Sequence, residues 1–184
     1  MTGSKMRMAA YGLASALCVA GAVPASAQGT DRQDKKFVMD SGEGSVAEIQ
    51  MAKLALANSQ NPEVRKFAQT MIHDHSMLID TMKPFAQKWG VPPPTPEHLE
   101  RAEKDEYARL AKKHGDAFDK DYITTMVDDH HKDLAEFTKE RDTTANPELK
   151  ATVAKGRDVI QGHMEMIDGM AHKYNLPVAN KPGL

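Results

Sequence analysis

Two segments of this chain are punctuated in the same way: Asn61-Pro62-Glu63 and Asn146-Pro147-Glu148 each lead into apolar residues spaced alternately by four and three. Asparagine offers an acceptor to the orphaned N–H groups of a first helical turn. Proline is tolerated at the first helical position, and glutamate suits the positive end of the helix dipole. Each segment therefore predicts a long helix with one apolar stripe, and such helices become stable by burying their stripes against one another. After Pro62 the stripe is Val64, Ala68, Met71, His75, Leu78, Met82, Phe85 and Trp89, stopped by Gly90 and Pro92-Pro93-Pro94. After Pro147 it is Leu149, Val153, Gly156, Ile160, His163, Ile167, Met170 and Tyr174, stopped by Asn175 and Pro177.

Aromatic residues make up 5% of the chain and no alternating β-branched run is present, so the expected class is all-α. A first helix is predicted over about Asp34–Asn58. A third long helix is predicted over about Asp116–Arg141, burying Phe118, Ile123, Met126, His130, Leu134 and Phe137. A more polar helix over Pro96–Lys113, capped by Thr95, links the two halves. A connection as long as Gly90 to Gly115 suits a ferritin-like four-helix bundle of two hairpins, with a long helical crossover between the second and third long helices. Spacing alone leaves an up-down-up-down order open. Residues 70–75 and 125–130 echo each other, although the echo is too short to establish a duplication.

The N-terminus reads separately. Lys5 and Arg7 precede an apolar, charge-free run from Met8 to Val23, followed by Ala25-Ser26-Ala27, the pattern of a signal peptide cut after Ala27. The run is shorter than the roughly 20 apolar residues a retained transmembrane helix needs. Cys18 follows Leu17, where a lipoprotein signal wants a small residue. The expected division is a signal at 1–27 and one domain at 28–184, periplasmic or secreted, with no membrane span in the mature chain. Losing the signal removes the only cysteine, and with it any disulfide, thiolate ligand or thiol nucleophile. It also removes two of 24 basic and none of 26 acidic residues, moving the formal charge from -2 to -4. That balance argues against nucleic acid as a partner.

His75, His130 and His163 each stand on the apolar stripe of a different helix, where Leu or Met is usual. A single seam histidine is ordinarily a satisfied core residue. Three at one depth favour one shared polar site, because burying each alone requires a separate hydrogen-bond solution. Glu48 is the fourth candidate: it lies about as far from the turn near Gln60 as His75 does, on a face with Phe37, Ser41, Gly44, Ala52 and Ala55. Asp74 and Asp129 flank the seam, where an exposed acid is the ordinary reading and a carboxylate orienting a histidine the functional one. His73, His98, His114, His131 and His172 read as solvated. Nine methionines remain after the signal; Met71 and Met126 precede His75 and His130 by one turn, and Met164, Met166 and Met170 surround His163. Gap-filling in the core is their ordinary use, while thioether beside imidazole suits copper.

The residues also resemble a family, the ferritin-like domain of unknown function found in bacterial secreted and predicted outer membrane proteins. The likeness covers about Asp34–His172. It rests on Gly44-Ser45-Val46-Ala47-Glu48 with Lys53-Leu54-Ala55, on Phe67-Ala68 with Met71-Ile72-His73-Asp74-His75, on Phe118-Asp119 with Tyr122, on Met126-Val127-Asp128-Asp129-His130, and on His163. It implies a ferritin-like bundle with Glu48, His75, His130 and His163 at recurrent polar positions, and it implies no established activity.

Ferritin-like di-iron centres need Glu-x-x-His on two helices. Three residues before His75, His130 and His163 stand Ile72, Val127 and Ile160, so a di-iron centre is not expected. There is no Gly-x-Ser-x-Gly element, no phosphate-binding glycine loop and no His-Glu-x-x-His, and no catalytic role is assigned. The leading expectation is an exported bundle binding one divalent transition metal, zinc or copper, through His75, His130, His163 and Glu48, with a role in metal handling or envelope stress. The alternative is a metal-free interaction or stress module whose buried His/Glu cluster fixes helix register.

Overall fold

The computed structural model describes residues 25–178, with side chains from Arg32 onward. Five helices make it up: α1 (Ala25–Asn58), α2 (Pro62–Trp89), α3 (Arg101–Leu110), α4 (Gly115–Thr143) and α5 (Pro147–Lys173). The protein is all-helical, with no strand among the described residues. No helix among them is long and apolar enough to cross a membrane. The expected signal at 1–27 lies outside the described residues apart from its last three, whose backbone is already helical.

The repeated punctuation works as the sequence requires. The Asn61 side chain accepts from the Glu63 N–H at 2.9 Å, and that of Asn146 accepts from Glu148 and Leu149 at 3.0 and 3.1 Å. Gly90 ends α2 at φ 64, in the left-handed region that costs a glycine nothing. Two boundaries differ from expectation. The first helix begins upstream of Asp34. The connecting helix is shorter than Pro96–Lys113 because its start is set by Glu100, whose N–H is reached at 2.8 Å by the Glu103 side chain, rather than by Thr95. Residues 95–98 form a turn instead, with the His98 N–H bonded to the Thr95 carbonyl at 3.0 Å.

The chain folds as two hairpins, α1 with α2 and α4 with α5, each closed by a short turn. Contacts between the hairpins fix their directions. Phe37, near the start of α1, meets Phe137, near the end of α4, with ring centroids 4.9 Å apart, and Gln33 bonds Glu140 at 2.9 Å. Lys173 at the end of α5 pairs with Glu63 at the start of α2 at 2.5 Å. Both α1 and α2 therefore run antiparallel to α4 and α5 respectively. It follows that α2 and α4 point the same way, and residues 90–114 must carry the chain back along a length of about 40 Å. Pro94 in this return packs on α1 at Gly42, where a Cβ would meet its ring at 3.3 Å. Leu99 and Leu110 anchor the connection in the core.

The core is in two pieces. One contains Met51, Val64, Phe67, Met71, Phe118, Ile123, Met126 and Ile167; the other contains Phe37, Leu78, Met82, Phe137, Leu149, Val153 and Ile160. Along each stripe the break falls at the same place: His75 lies between Met71 and Leu78, His130 between Met126 and Phe137, and His163 between Ile160 and Ile167. A polar layer thus crosses the interior between two apolar blocks.

Candidate metal centre

Each of the four long helices gives one residue to this layer: Glu48 from α1, His75 from α2, His130 from α4 and His163 from α5. All four are nearly inaccessible to water, none more than 3% exposed. One ring nitrogen from each histidine lies within 4.8 Å of those of the other two. The imidazoles pack with centroids 5.4 to 6.0 Å apart, and the Phe67 ring meets His130 and His163 edge-on at 6.0 and 6.4 Å.

Hydrogen bonding fixes the tautomer of every ring. Ser45 donates its hydroxyl to the Ser41 carbonyl at 2.7 Å, so its oxygen is left to accept from His75 Nδ1 at 3.3 Å. His130 Nδ1 donates to the Met126 carbonyl at 2.8 Å, since a carbonyl can only accept. His163 Nε2 donates to the Asp74 carboxylate at 2.8 Å. The lone pairs then sit on His75 Nε2, His130 Nε2 and His163 Nδ1. Those three nitrogens are buried without a hydrogen-bond partner, as are both oxygens of Glu48. An orphaned buried polar group costs roughly 1–3 kcal/mol, so five in one layer are costly to the fold.

Burial also sets the charges. It pulls the His75 imidazole down to about 4 and the His130 imidazole well below its ordinary value, the latter helped by its two neighbours. His163 is lowered too, by burial, against the pull of Asp74. The imidazoles are accordingly neutral, the form that binds metal. Burial pushes the Glu48 carboxyl up to about 8, reinforced by Glu103 and Glu106.

This arrangement fits a cation. Three clustered rings, each with a buried free lone pair and with its opposite nitrogen held by a hydroxyl, a carbonyl or a carboxylate, are the donor pattern of histidine ligation. Glu48 Oε2 is 2.9 Å from His75 Nε2, close to the spacing of adjacent ligands on one ion whose bonds are about 2.0–2.1 Å. Two such ligands lie at most about 4 Å apart, so the trio, whose nitrogens lie within 4.8 Å, has at most about 1 Å to close around an ion.

All four residues singled out in the sequence meet in one layer. Asp74 departs from its ordinary reading as an exposed acid, because its carboxylate holds His163. Asp129 bonds no histidine. It is turned toward α1 and α3, with burial and the charge of Glu48 pushing its carboxyl up to about 9. His131 is not solvated; its Nε2 lies 3.1 Å from both oxygens of Asp168 and ties α4 to α5. Met71 and Met126 are core packing. Ser45, three residues before Glu48 on the same helix, holds His75 on another helix, a role its own sequence neighbours do not reveal.

Residues 19–170 match the family model described as a domain of unknown function, DUF4142. Among solved structures, a DUF305 fragment from Deinococcus radiodurans is similar at a TM-score of 0.65 and 20% identity, covering 77% of this chain and 96% of that one. A candidate secreted DUF305 protein from Streptomyces coelicolor is similar at 0.68 and 12% identity, covering 82% and 99%. CopM in its Cu(I)-bound form is similar at 0.63 and 20% identity, covering 77% and 96%. At these identities the likeness shows a shared fold alone. No curated protein matches the chain.

Proposed function

We propose that this chain, which belongs to the DUF4142 family of domains of unknown function, is an exported protein that holds one transition-metal ion through His75, His130 and His163, with Glu48 as an oxygen ligand. The observation that carries the reading is the set of three buried, partnerless lone pairs, each on a ring whose other nitrogen is hydrogen-bonded.

The scaffold is read as a ferritin-like four-helix bundle with residues 90–114 as its crossover, and export as the work of a signal cut after Ala27. Three neutral imidazoles and a carboxylate suit zinc or copper. The fold shared with CopM, a protein seen with Cu(I) and with Cu(II), favours copper. Metal handling in the envelope is the role that follows, with no turnover assigned.

Calorimetric titration with Zn2+ and Cu2+ tests this. Single His75→Gln, His130→Gln and His163→Gln variants are expected to lose most of the affinity while keeping their helicity, and His172→Gln to keep both. Undiminished affinity in all three seam variants would return the cluster to a purely structural role.

A further inference from the structure

A cavity of about 280 Å³ opens between α1, α3 and α4. Of its fifteen lining residues nine are Asp or Glu and two are Lys. Glu103 and Glu106 come from α3, Glu43 and Glu48 from α1, Asp129 and Asp133 from α4. Among the described residues, Lys36 pairs with Asp40 at 2.5 Å, and no Lys or Arg stands within ion-pair distance of the other eight. Asp133 is pushed well above its ordinary value, first by burial and then by the charge of Glu48. Nine acids facing two lysines leave the wall net negative, and a mobile cation is what such a wall attracts.

Glu48 belongs to both the cavity and the histidine layer. It forms the inner wall of the cavity, it is 3% exposed, and both its oxygens are without a hydrogen-bond partner. On its far side Oε2 faces His75 at 2.9 Å, and Oε1 is 3.6 Å from His130 Nδ1. Of the described cavities, this one alone has a member of the four-residue layer in its wall. The acids do not themselves form a second binding site. Among the described residues, the ligand atoms that converge within 4.8 Å are those of the histidine trio.

We propose that this acidic cavity is the entrance through which hydrated divalent cations reach the histidines, with Glu48 receiving the ion from the cavity and presenting it to the imidazoles. The proposal rests on the metal-binding reading and adds its route and its selectivity. A passage walled by carboxylates draws in a free cation and repels an anionic chelate of the same metal. It also gives the crossover a task beyond closing the fold, because α3 supplies one acidic wall.

Gly44 provides the decisive substitution. It lines the cavity, and a Cβ built on it meets nothing within 4 Å, so a larger side chain there enters open space. Rapid mixing of the full protein with Cu2+ gives the association rate, and excess chelator gives the release rate. Gly44→Leu is expected to slow both by about the same factor, on the order of tenfold, leaving the equilibrium affinity within about twofold. Glu103→Gln with Glu106→Gln is expected to lower association by on the order of tenfold and to flatten its dependence on ionic strength. Parent-like rates in both variants overturn the route while leaving the site intact. If Gly44→Leu weakens the affinity, the paired glutamine variant decides alone, and an unchanged association rate with unchanged salt dependence overturns the proposal. A parent protein that binds no Cu2+ is a separate result, which removes the site and the route together.

Discussion

His75 Nε2 and Glu48 Oε2 stand 2.9 Å apart in the middle of the protein, and neither atom is aligned to hydrogen-bond to anything. The proton of His75 is committed to Ser45 through Nδ1, so two lone pairs face each other. Such a contact is relieved by a proton on Glu48 or by a cation between the two atoms. The first describes the metal-free protein, whose Glu48 carboxyl is pushed up to about 8; the second describes the holo protein proposed here.

The metal-free protein should therefore lose stability as the pH rises from about 6.5 to 8. Glu48 and Asp129 have folded-state values raised to about 8 and about 9, so over this window the folded state holds protons that the unfolded state has released, and raising the pH favours unfolding. His75, lowered to about 4, acts in the opposite sense only below its ordinary value of 6.5. Melting temperatures measured with chelator across this range should fall, and saturating metal should reduce the slope. A flat metal-free profile would mean that these acids are not buried as described.

Asp74 holds the proton-bearing nitrogen of His163 at 2.8 Å, which aims the other nitrogen at the centre. Asp74→Ala should weaken metal binding by about 10- to 100-fold, the usual effect of losing a ligand's hydrogen-bond partner. The metal-free melting temperature should fall modestly, because the buried His163 Nε2–H loses its acceptor, and by less than that of the metal-loaded protein. Equal loss of stability with and without metal would show that Asp74 serves packing rather than ligation.

Ferrous iron added without oxygen and then exposed to air should produce neither a bridged di-iron absorption band nor rapid iron oxidation. One carboxylate lies in the layer, and Ile72, Val127 and Ile160 occupy the positions from which further bridging carboxylates would have to come. Binding of two irons per chain with fast turnover would contradict this.

Gly156 on α5 packs directly against Phe137 and Leu78. A Cβ there would stand 2.8 Å from the Phe137 ring and 3.1 Å from Leu78. Gly156→Ala should lower the melting temperature despite alanine's better helix propensity, by an amount corresponding to about 1–3 kcal/mol of overpacking. Gly162→Ala, where the added carbon meets nothing within 4 Å, is the matched control and should be neutral or stabilising.

The all-helical class, most helix ends and the register of the three histidines follow from residues close along the chain. An Asn-Pro-Glu start is read within three residues, and a stripe repeats every three or four. The start of the connecting helix is not fixed locally, because Thr95-Pro96 and Glu100 with Glu103 both offer a beginning and the packing of Leu99 and Leu110 depends on distant residues. Which nitrogen of each ring is free depends on how the helices pack. The partners that set the tautomers of His75 and His163 stand 30 and 89 residues away, Ser45 before the first and Asp74 before the second. The same packing decided that α2 and α4 run the same way, so that the return segment lies across α1 and α4 and brings Glu103 and Glu106 to the outer side of Glu48. Hydrogen bonds and charges in a buried layer act through space over a few ångströms, and their partners are chosen by how helices distant in sequence pack together.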